Sequence, residues 1–204
     1  MKRSLILVAL PVFFLSAILS EAAVIISIQR LDVDSINPAV SESVSAGDLR
    51  SGGHLYVDSG LAYGTLPSYL INADFIQMDN SDNAKSDYQL RLTLSMDSKI
   101  YLLIDDRVSS LPTTMPWVAN QGFADSGVNI LTVGSNLPYS VYSMIAPAGN
   151  LTLGANGSGS ANMFTVVATP VPEPSAMLIS CVASAVLLLR TGRRRRERDC
   201  SVTN

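Results

Sequence analysis

The chain has 204 residues, with 17 Asp plus Glu against 14 Lys plus Arg, one histidine and two cysteines, and a net charge of −3. Residues 24–170 hold 13 acidic against 6 basic side chains, a charge of −7, so the positive excess sits at the two ends. An acidic middle is poorly suited to nucleic acid or anionic lipid, a single histidine excludes a histidine-rich metal centre, and with both cysteines at positions 181 and 200 the middle has no disulfide framework.

At the start, Met1-Lys2-Arg3 leads into an apolar run from Leu5 to Leu19, and Ser20-Glu21-Ala22 follows. A positive n-region, an apolar h-region and small residues three and one before a cut predict a secretory signal helix over 1–22. The cut falls after Ala22, with Ala23 as a neighbouring position. A retained anchor is the alternative, but the h-region is short and broken by Pro11. No lipobox cysteine stands at the cut.

Residues 23–170 then read as one domain, long enough to bury a core. Its organisation is β. From Tyr88 to Met96, the apolar residues Leu90, Leu92, Leu94 and Met96 alternate with Gln89, Arg91, Thr93 and Ser95. That period of two wets one face and buries the other, as in an antiparallel sheet. Short runs at 24–28, 54–57, 69–78, 100–104, 128–133, 141–145, 151–153 and 163–168 read as further strands. Turn clusters such as Ser51-Gly52-Gly53, Asn80 to Asn83, Pro147 to Asn150 and Asn156 to Ser160 separate them. Residues 32–53 are polar and Ser-rich, which fits a loose entry strand with a long loop or a partly ordered linker. No stretch of 12 residues carries a helical stripe outside the two ends. The expected fold is all-β: a single antiparallel β-sandwich or jelly-roll-like domain, flanked by the signal helix and a C-terminal apolar helix.

Candidate chemistry in the middle is sparse. His54 follows two glycines at a predicted strand start; a Ser-His-Asp arrangement needs one histidine, yet no Gly-x-Ser-x-Gly elbow is present. Asp58-Ser59-Gly60 and Asp125-Ser126-Gly127 match the motif of aspartic proteases, but Asp-Ser before Gly is also what a tight turn asks for. Asp79-Asn80-Ser81-Asp82-Asn83 offers oxygens at alternating positions, as a calcium loop does, with Asp79 and Asp82 as the ligands. It lacks the glycine at the sixth position and the glutamate at the twelfth, so a polar hairpin turn competes. Asp105 and Asp106 would point to opposite faces of a strand, leaving Asp105 or Asp106 to a local pair with Arg107. Trp117, Tyr139 and Tyr142 are candidate glycan contacts, since aromatic rings pack on sugar rings; a lone tryptophan is also a usual core residue. No base, nucleophile and oxyanion donor converge, so an enzyme is not expected.

From Tyr101 to Arg107, through Leu111-Pro112, Trp117, Phe123 to Gly127, Tyr142-Ser143, Ala148-Gly149, Leu151 to Gly157 and Met163 to Val167, the chain resembles a small β-sandwich module of large secreted proteins of bacteria such as planctomycetes. That resemblance implies a β-sandwich and association with glycan or surface, and no activity.

The chain closes on Val171-Pro172-Glu173-Pro174-Ser175, an apolar run from Ala176 to Leu189, and the arginines Arg190, Arg193, Arg194, Arg195, Arg196 and Arg198. As a helix the 14-residue run is roughly 21 Å long, short against a bilayer core of about 30 Å, so bilayer thinning or snorkelling by Arg190 would complete the span. The prolines keep the preceding strip extended and open to a protease. The arginines hold their end on the cytoplasmic side. Together these parts resemble the PEP-CTERM sorting tail of Gram-negative envelope proteins. The resemblance implies that Pro172, Glu173 and Pro174 are recognised by an exosortase, a membrane protease that cuts nearby and passes the protein on. The chain would then be a substrate, held transiently in the inner membrane and released to the envelope or extracellular matrix. An unprocessed tail anchor is the alternative. Within the matrix, exopolysaccharide is the expected partner if the middle is a carbohydrate-binding module.

Overall fold

The computed structural model describes residues 23–32, 43–45 and 47–172. The signal helix, the apolar helix over 176–189, Glu173, Pro174 and the terminal arginines lie outside them. Among the described residues, no helix is long and apolar enough to cross a membrane.

The strands are β1 (Ile25–Arg30), β2 (Ser43–Ser45), β3 (Asp74–Gln77), β4 (Leu90–Leu94), β5 (Ser98–Asp105), β6 (Ala124–Leu131), β7 (Pro138–Ala146), β8 (Gly149–Leu153) and β9 (Thr165–Pro170). They form two antiparallel sheets, one of three strands in the order β1-β4-β8 and one of six in the order β2-β3-β9-β5-β7-β6. The all-β sandwich expected from the sequence is the architecture observed. Strand β4 shows why. Leu90, Leu92 and Leu94 are buried while Arg91 and Thr93 are half-exposed, and each such leucine contributes about 2 kcal/mol by leaving water.

The chain passes between the sheets five times, most tightly at two corners. Residues 95–97 carry it from β4 to β5, and residues 147–148 carry it from β7 to β8. Asp97 ties the corners together by accepting the Ala148 amide at 3.0 Å.

Strand β5 departs from simple alternation, because all but one of its residues are buried. Register explains the two faces. Ile100, Leu102 and Ile104 share a face with Val166 and Ala168 of β9, and Asp74 at the start of β3 accepts the Val24 and Ile25 amides beside β1. That is the inner face, turned to the smaller sheet. Tyr101, Leu103 and Asp105 share the outer face with Thr165, Val167, Tyr139 and Val141.

A strap of irregular chain covers the outer face. Val57 donates to Met78 beyond β3, and Gly64 donates to Leu131 of β6, so residues 57–64 cross from one side of the sheet to the other. The strap lays Leu55, Tyr56, Tyr63 and Leu66 onto the core. Residues 54–57, expected as a strand, thus make isolated bridges only. The run 69–78 also splits, into a 3₁₀ turn at Ser68–Leu70 and β3. Within the polar 32–53 segment, Ser43–Ser45 pairs with β3 as a short edge strand.

Two short helices, α1 (Leu111–Thr114) and α2 (Pro116–Asn120), were not legible as stripes because neither makes two turns. Each has a proline near its start, where the missing N–H costs nothing. Met115, at the junction between them, and Val118 of α2 lodge in the core, and Gln121 binds the Thr152 carbonyl of β8 at 2.8 Å.

Candidate functional site

Trp117 on α2 is a corner residue. Its Nε1 donates to the Ala155 carbonyl at 2.9 Å, and its ring lies 5.5 Å from Phe164 and 6.1 Å from Phe123. The chain passes so close at Gly154 that a Cβ there would sit 2.6 Å from the indole Cδ1. The expectation of a sugar platform formed by Trp117, Tyr139 and Tyr142 is corrected here. Tyr139 is wholly buried. It stands three residues from Tyr142 on β7, so the two rings leave opposite faces of the strand.

Tyr139 belongs to a buried polar cluster beneath the strap. Its hydroxyl lies 3.1 Å from that of Tyr56 and accepts from Asn162 Nδ2 at 2.8 Å, while Tyr56 donates to the Met163 carbonyl. Tyr63 stands edge-on to the Tyr139 ring, centroids 5.6 Å apart. Burial first, then neighbouring tyrosines, raises Tyr56 and Tyr63 well above the usual phenol range. Tyr63 and Thr165 place buried hydroxyls that complete no hydrogen bond as positioned. The neighbouring Thr165 hydroxyl acts against that rise in Tyr63.

Asp105 closes the cluster. It is wholly buried and takes Arg107 Nη2 at 2.5 Å and the Asn162 amide at 2.9 Å. Burial alone would raise its carboxyl; the hydrogen bonds from Arg107 and the Asn162 and Arg107 amides outweigh that and hold it below the usual range. The local pair expected for Arg107 is formed with Asp105.

Asp106, its neighbour, turns to the opposite face and meets Ser140. The smaller sheet has three strands, so the inner face of β7 and β6 extends past it as a ledge. There Asp106 Oδ1 accepts from the Ser140 amide at 2.9 Å and its hydroxyl at 2.7 Å, and Ser140 Oγ also reaches Asn129 Oδ1 at 3.2 Å. Half-buried Tyr142 stands beside them, opposite Asp125 of β6. Burial first, then the carboxylates of Asp125 and Asp106, raises its phenol above the usual value, so it stays a neutral donor. Val108 and Leu111 wall a shallow pocket of ≈ 200 Å³ over Ile104, Ser140 and Tyr142. A drug-sized ligand asks for about 300–1,000 Å³; this one suits a single ring of a longer chain. Of the three aromatic candidates, Tyr142 alone presents a ring to such a surface. Its polar companions Asp106, Ser140 and Asn129 were missed, although the Tyr139-Ser140-Val141-Tyr142 alternation signals which side chains share a face.

The remaining candidates take structural roles. Asp58-Ser59-Gly60 turns the strap: Leu55 donates to Leu61, Asp58 accepts the Asn80 and Ser81 amides, and Ser59 accepts Leu61. In Asp125-Ser126-Gly127, Asp125 accepts the Gly127 amide within a bulge of β6, where Gly127 has φ 71°. His54 gives its main-chain carbonyl to Gln77, and among the described residues no serine hydroxyl bonds its ring. The calcium expectation at Asp79 and Asp82 is corrected too. Residues Asn80–Ala84 form a 3₁₀ turn capped by Asp79, and Asp82 is buried with one oxygen on Arg30 Nη1 and the other on Lys85 Nζ, both at 2.5 Å. Two cations there repel a third. Among the described residues, no group of three or more His, Cys, Asp or Glu could hold a metal ion.

A larger cleft, of ≈ 430 Å³, lies at the opposite end of the sandwich between Ala23, Asp74, Tyr69, Ile71 and Thr169. Tyr69 stacks on Tyr101 at 5.5 Å there.

No family model and no curated protein matches this chain. Among solved structures, it is similar to a β-glucuronidase from glycoside hydrolase family 2, at 25% identity and a TM-score of 0.54, over 64% of this chain. It spans only 14% of that enzyme's length. A GH138 enzyme targeting pectin rhamnogalacturonan II aligns at 9% identity and a TM-score of 0.43, over 71% of this chain and 15% of that one.

Proposed function

We propose that this chain is an exported, non-catalytic β-sandwich protein that associates with polysaccharide in the envelope or extracellular matrix. In this scheme the tail from Val171 onward acts as a PEP-CTERM signal cut by an exosortase. The observation that carries the carbohydrate part is the likeness of 64% of the chain to a small portion of a β-glucuronidase. A portion of that size is a module rather than a whole glycosidase.

What supports a non-catalytic role is how the carboxylates are employed. Glycoside hydrolysis needs two carboxyl groups facing one another across the scissile bond, about 5–9.5 Å apart. Asp105 is locked on Arg107, Asp82 on Arg30 and Lys85, Asp106 on the amide and hydroxyl of Ser140, and Asp58 and Asp125 on main-chain amides. The ledge instead pairs a phenol ring with Asp106, Ser140 and Asn129, a set that can pack on a pyranose and accept its hydroxyls. Asp106 and Asp125 also make the ledge acidic, so neutral sugars suit it better than uronates.

The test is affinity electrophoresis of the exported protein in gels containing neutral or uronate-bearing matrix polysaccharides. Retardation by neutral glycan that disappears in Tyr142→Ala, and persists in Tyr69→Ala, is the expected result. Equal retardation of the parent and Tyr142→Ala proteins would sink the assignment of the ledge. For the sorting part, the intact mass of protein from cells and medium decides: a species ending near Pro172–Pro174 supports cleavage, and one retaining Ala176 to Asn204 leaves a membrane anchor.

A further inference from the structure

Asp74 is a buried carboxylate, 7% exposed, held by amides alone. Its Oδ2 accepts Val24 N at 2.5 Å and Ile25 N at 3.1 Å, and its Oδ1 accepts Gly47 N at 2.7 Å. No lysine or arginine pairs with it among the described residues. Among the described residues, the other two aspartates buried below a tenth exposure each meet a cation: Asp82 meets Arg30 and Lys85, and Asp105 meets Arg107. A buried charge without a counter-ion is costly, and the ≈ 430 Å³ cleft opens beside it at Ala23.

The position of Asp74 in the chain's order suggests where the missing cation comes from. The two amides on Oδ2 are those of Val24 and Ile25, directly after the predicted leader. We propose that Asp74 is the counter-ion for the mature amino terminus, whose α-ammonium seats in this cleft once residues 1–22 are removed. The step rests on that leader and on a signal peptidase acting during export, before Val24 is buried. Water hydrolyses the Ala22–Ala23 amide; its oxygen leaves as the Ala22 carboxylate, and Ala23 keeps the nitrogen as a protonated amine. A cut at the neighbouring Ala23–Val24 bond would put the ammonium on the very nitrogen that already contacts Oδ2. Successive Cα atoms are about 3.8 Å apart, so either cut leaves the ammonium within roughly 6 Å of the carboxylate, where opposite charges stabilise one another. Ser95 Oγ, donating to the Ala23 carbonyl at 2.7 Å, holds the terminus in place. The buried Asp74 carboxylate would therefore acquire a counter-ion only when the leader is lost. This is independent of the glycan ledge, which lies at the other end of the sandwich.

The experiment uses the full-length chain, exported and purified. Intact mass gives the first residue. Limiting acetic anhydride at pH 7, with peptide mass mapping, then compares acetylation of the α-amine with that of Lys99 in the folded protein and in urea. The expected protein begins at Ala23 or Val24. Its α-amine reacts about tenfold more slowly when folded, as a one-unit rise in amine pKa requires, and Asp74→Asn removes the protection. The neighbouring exposed pair serves as control: Asp48→Asn leaves it intact. An unprocessed leader, equal reactivity folded and unfolded, or protection unchanged in Asp74→Asn would each overturn the proposal. Should Asp74→Asn fail to fold, the folded-against-urea comparison on the parent protein still decides.

Discussion

Replacing Trp117 by alanine separates a packing role from a glycan role. Removing a fully buried Phe or Trp side chain costs about 3–5 kcal/mol. Trp117 is half-buried, so the ring contacts with Phe164 and Phe123 account for about 2 kcal/mol. The lost Nε1 bond to Ala155, which leaves that carbonyl without its donor, adds about 1 kcal/mol. The total, near 3 kcal/mol, corresponds to a fall in Tm of about 6–12 °C for a domain of this size. Thermal unfolding followed by far-UV circular dichroism measures it, since the substitution removes the chain's one tryptophan fluorophore. Affinity electrophoresis on the same samples, well below Tm, should show glycan retardation unchanged. Gly154→Ala offers a second approach to the same corner, because its Cβ would drive the indole outward; it should lower Tm in the same way. A Trp117→Ala protein of unchanged Tm that has lost its glycan would refute the packing role and return the indole to the binding surface.

Acidification should destabilise the domain through Asp105. Its carboxyl is held below the usual value in the folded state, so its contribution is present above about pH 4 and lost as pH falls through the folded-state value. Urea midpoints measured from pH 6 to pH 2.5 should fall, and Asp105→Asn should lower the pH 6 midpoint and flatten the slope. At the alkaline end, Tyr56, Tyr63 and Tyr139 have raised phenol values, so their stabilisation is present below about pH 10 and lost above it. Absorbance at the phenolate band should show their ionisation as one cooperative step coincident with unfolding; three independent titrations near the ordinary value would contradict it. Arg30→Met should cost about 3 kcal/mol, because it leaves Asp82 buried with Lys85 as its remaining cation and takes the guanidinium from the Tyr88 ring, 4.2 Å away. Finally, adding calcium or a chelator should leave Tm unchanged; a rise with calcium would reopen the Asp79–Asn83 loop as a ligand.

Strands whose two faces meet different environments were readable in the sequence, and Leu90 to Leu94 is the clearest of them. Strand β5 was located but not its double burial, because Tyr101, Leu103 and Asp105 are covered by a strap that has no periodicity of its own. Leu55, Tyr56 and Tyr63 are spaced by the path of that crossing, which neither period of two nor of 3.6 describes. The turn chemistry of both Asp-Ser-Gly motifs was legible, since glycine after a side chain that accepts main-chain amides has a local meaning. The aromatic site was half legible. Counting residues along β7 separates Tyr139 from Tyr142, but only the pairing of β7 with β6 brings Asn129 to Ser140, and only the chain reversal after β5 brings Asp106. Asp74 gave no signal in sequence, because its partners are main-chain amides, one 50 residues away.

The bulge in β6 has a bearing on life among many copies. A sheet edge with free amides and carbonyls invites a neighbour to add its own strand, and nothing covalent would pull this cysteine-free domain back from such a pairing. At one edge of the larger sheet, β2 offers only three residues. At the other, Asp125 to Asn129 interrupt the ladder and twist the strand away, with a charge at the break. Crowded together, such molecules would offer one another no long, regular edge of the larger sheet to extend.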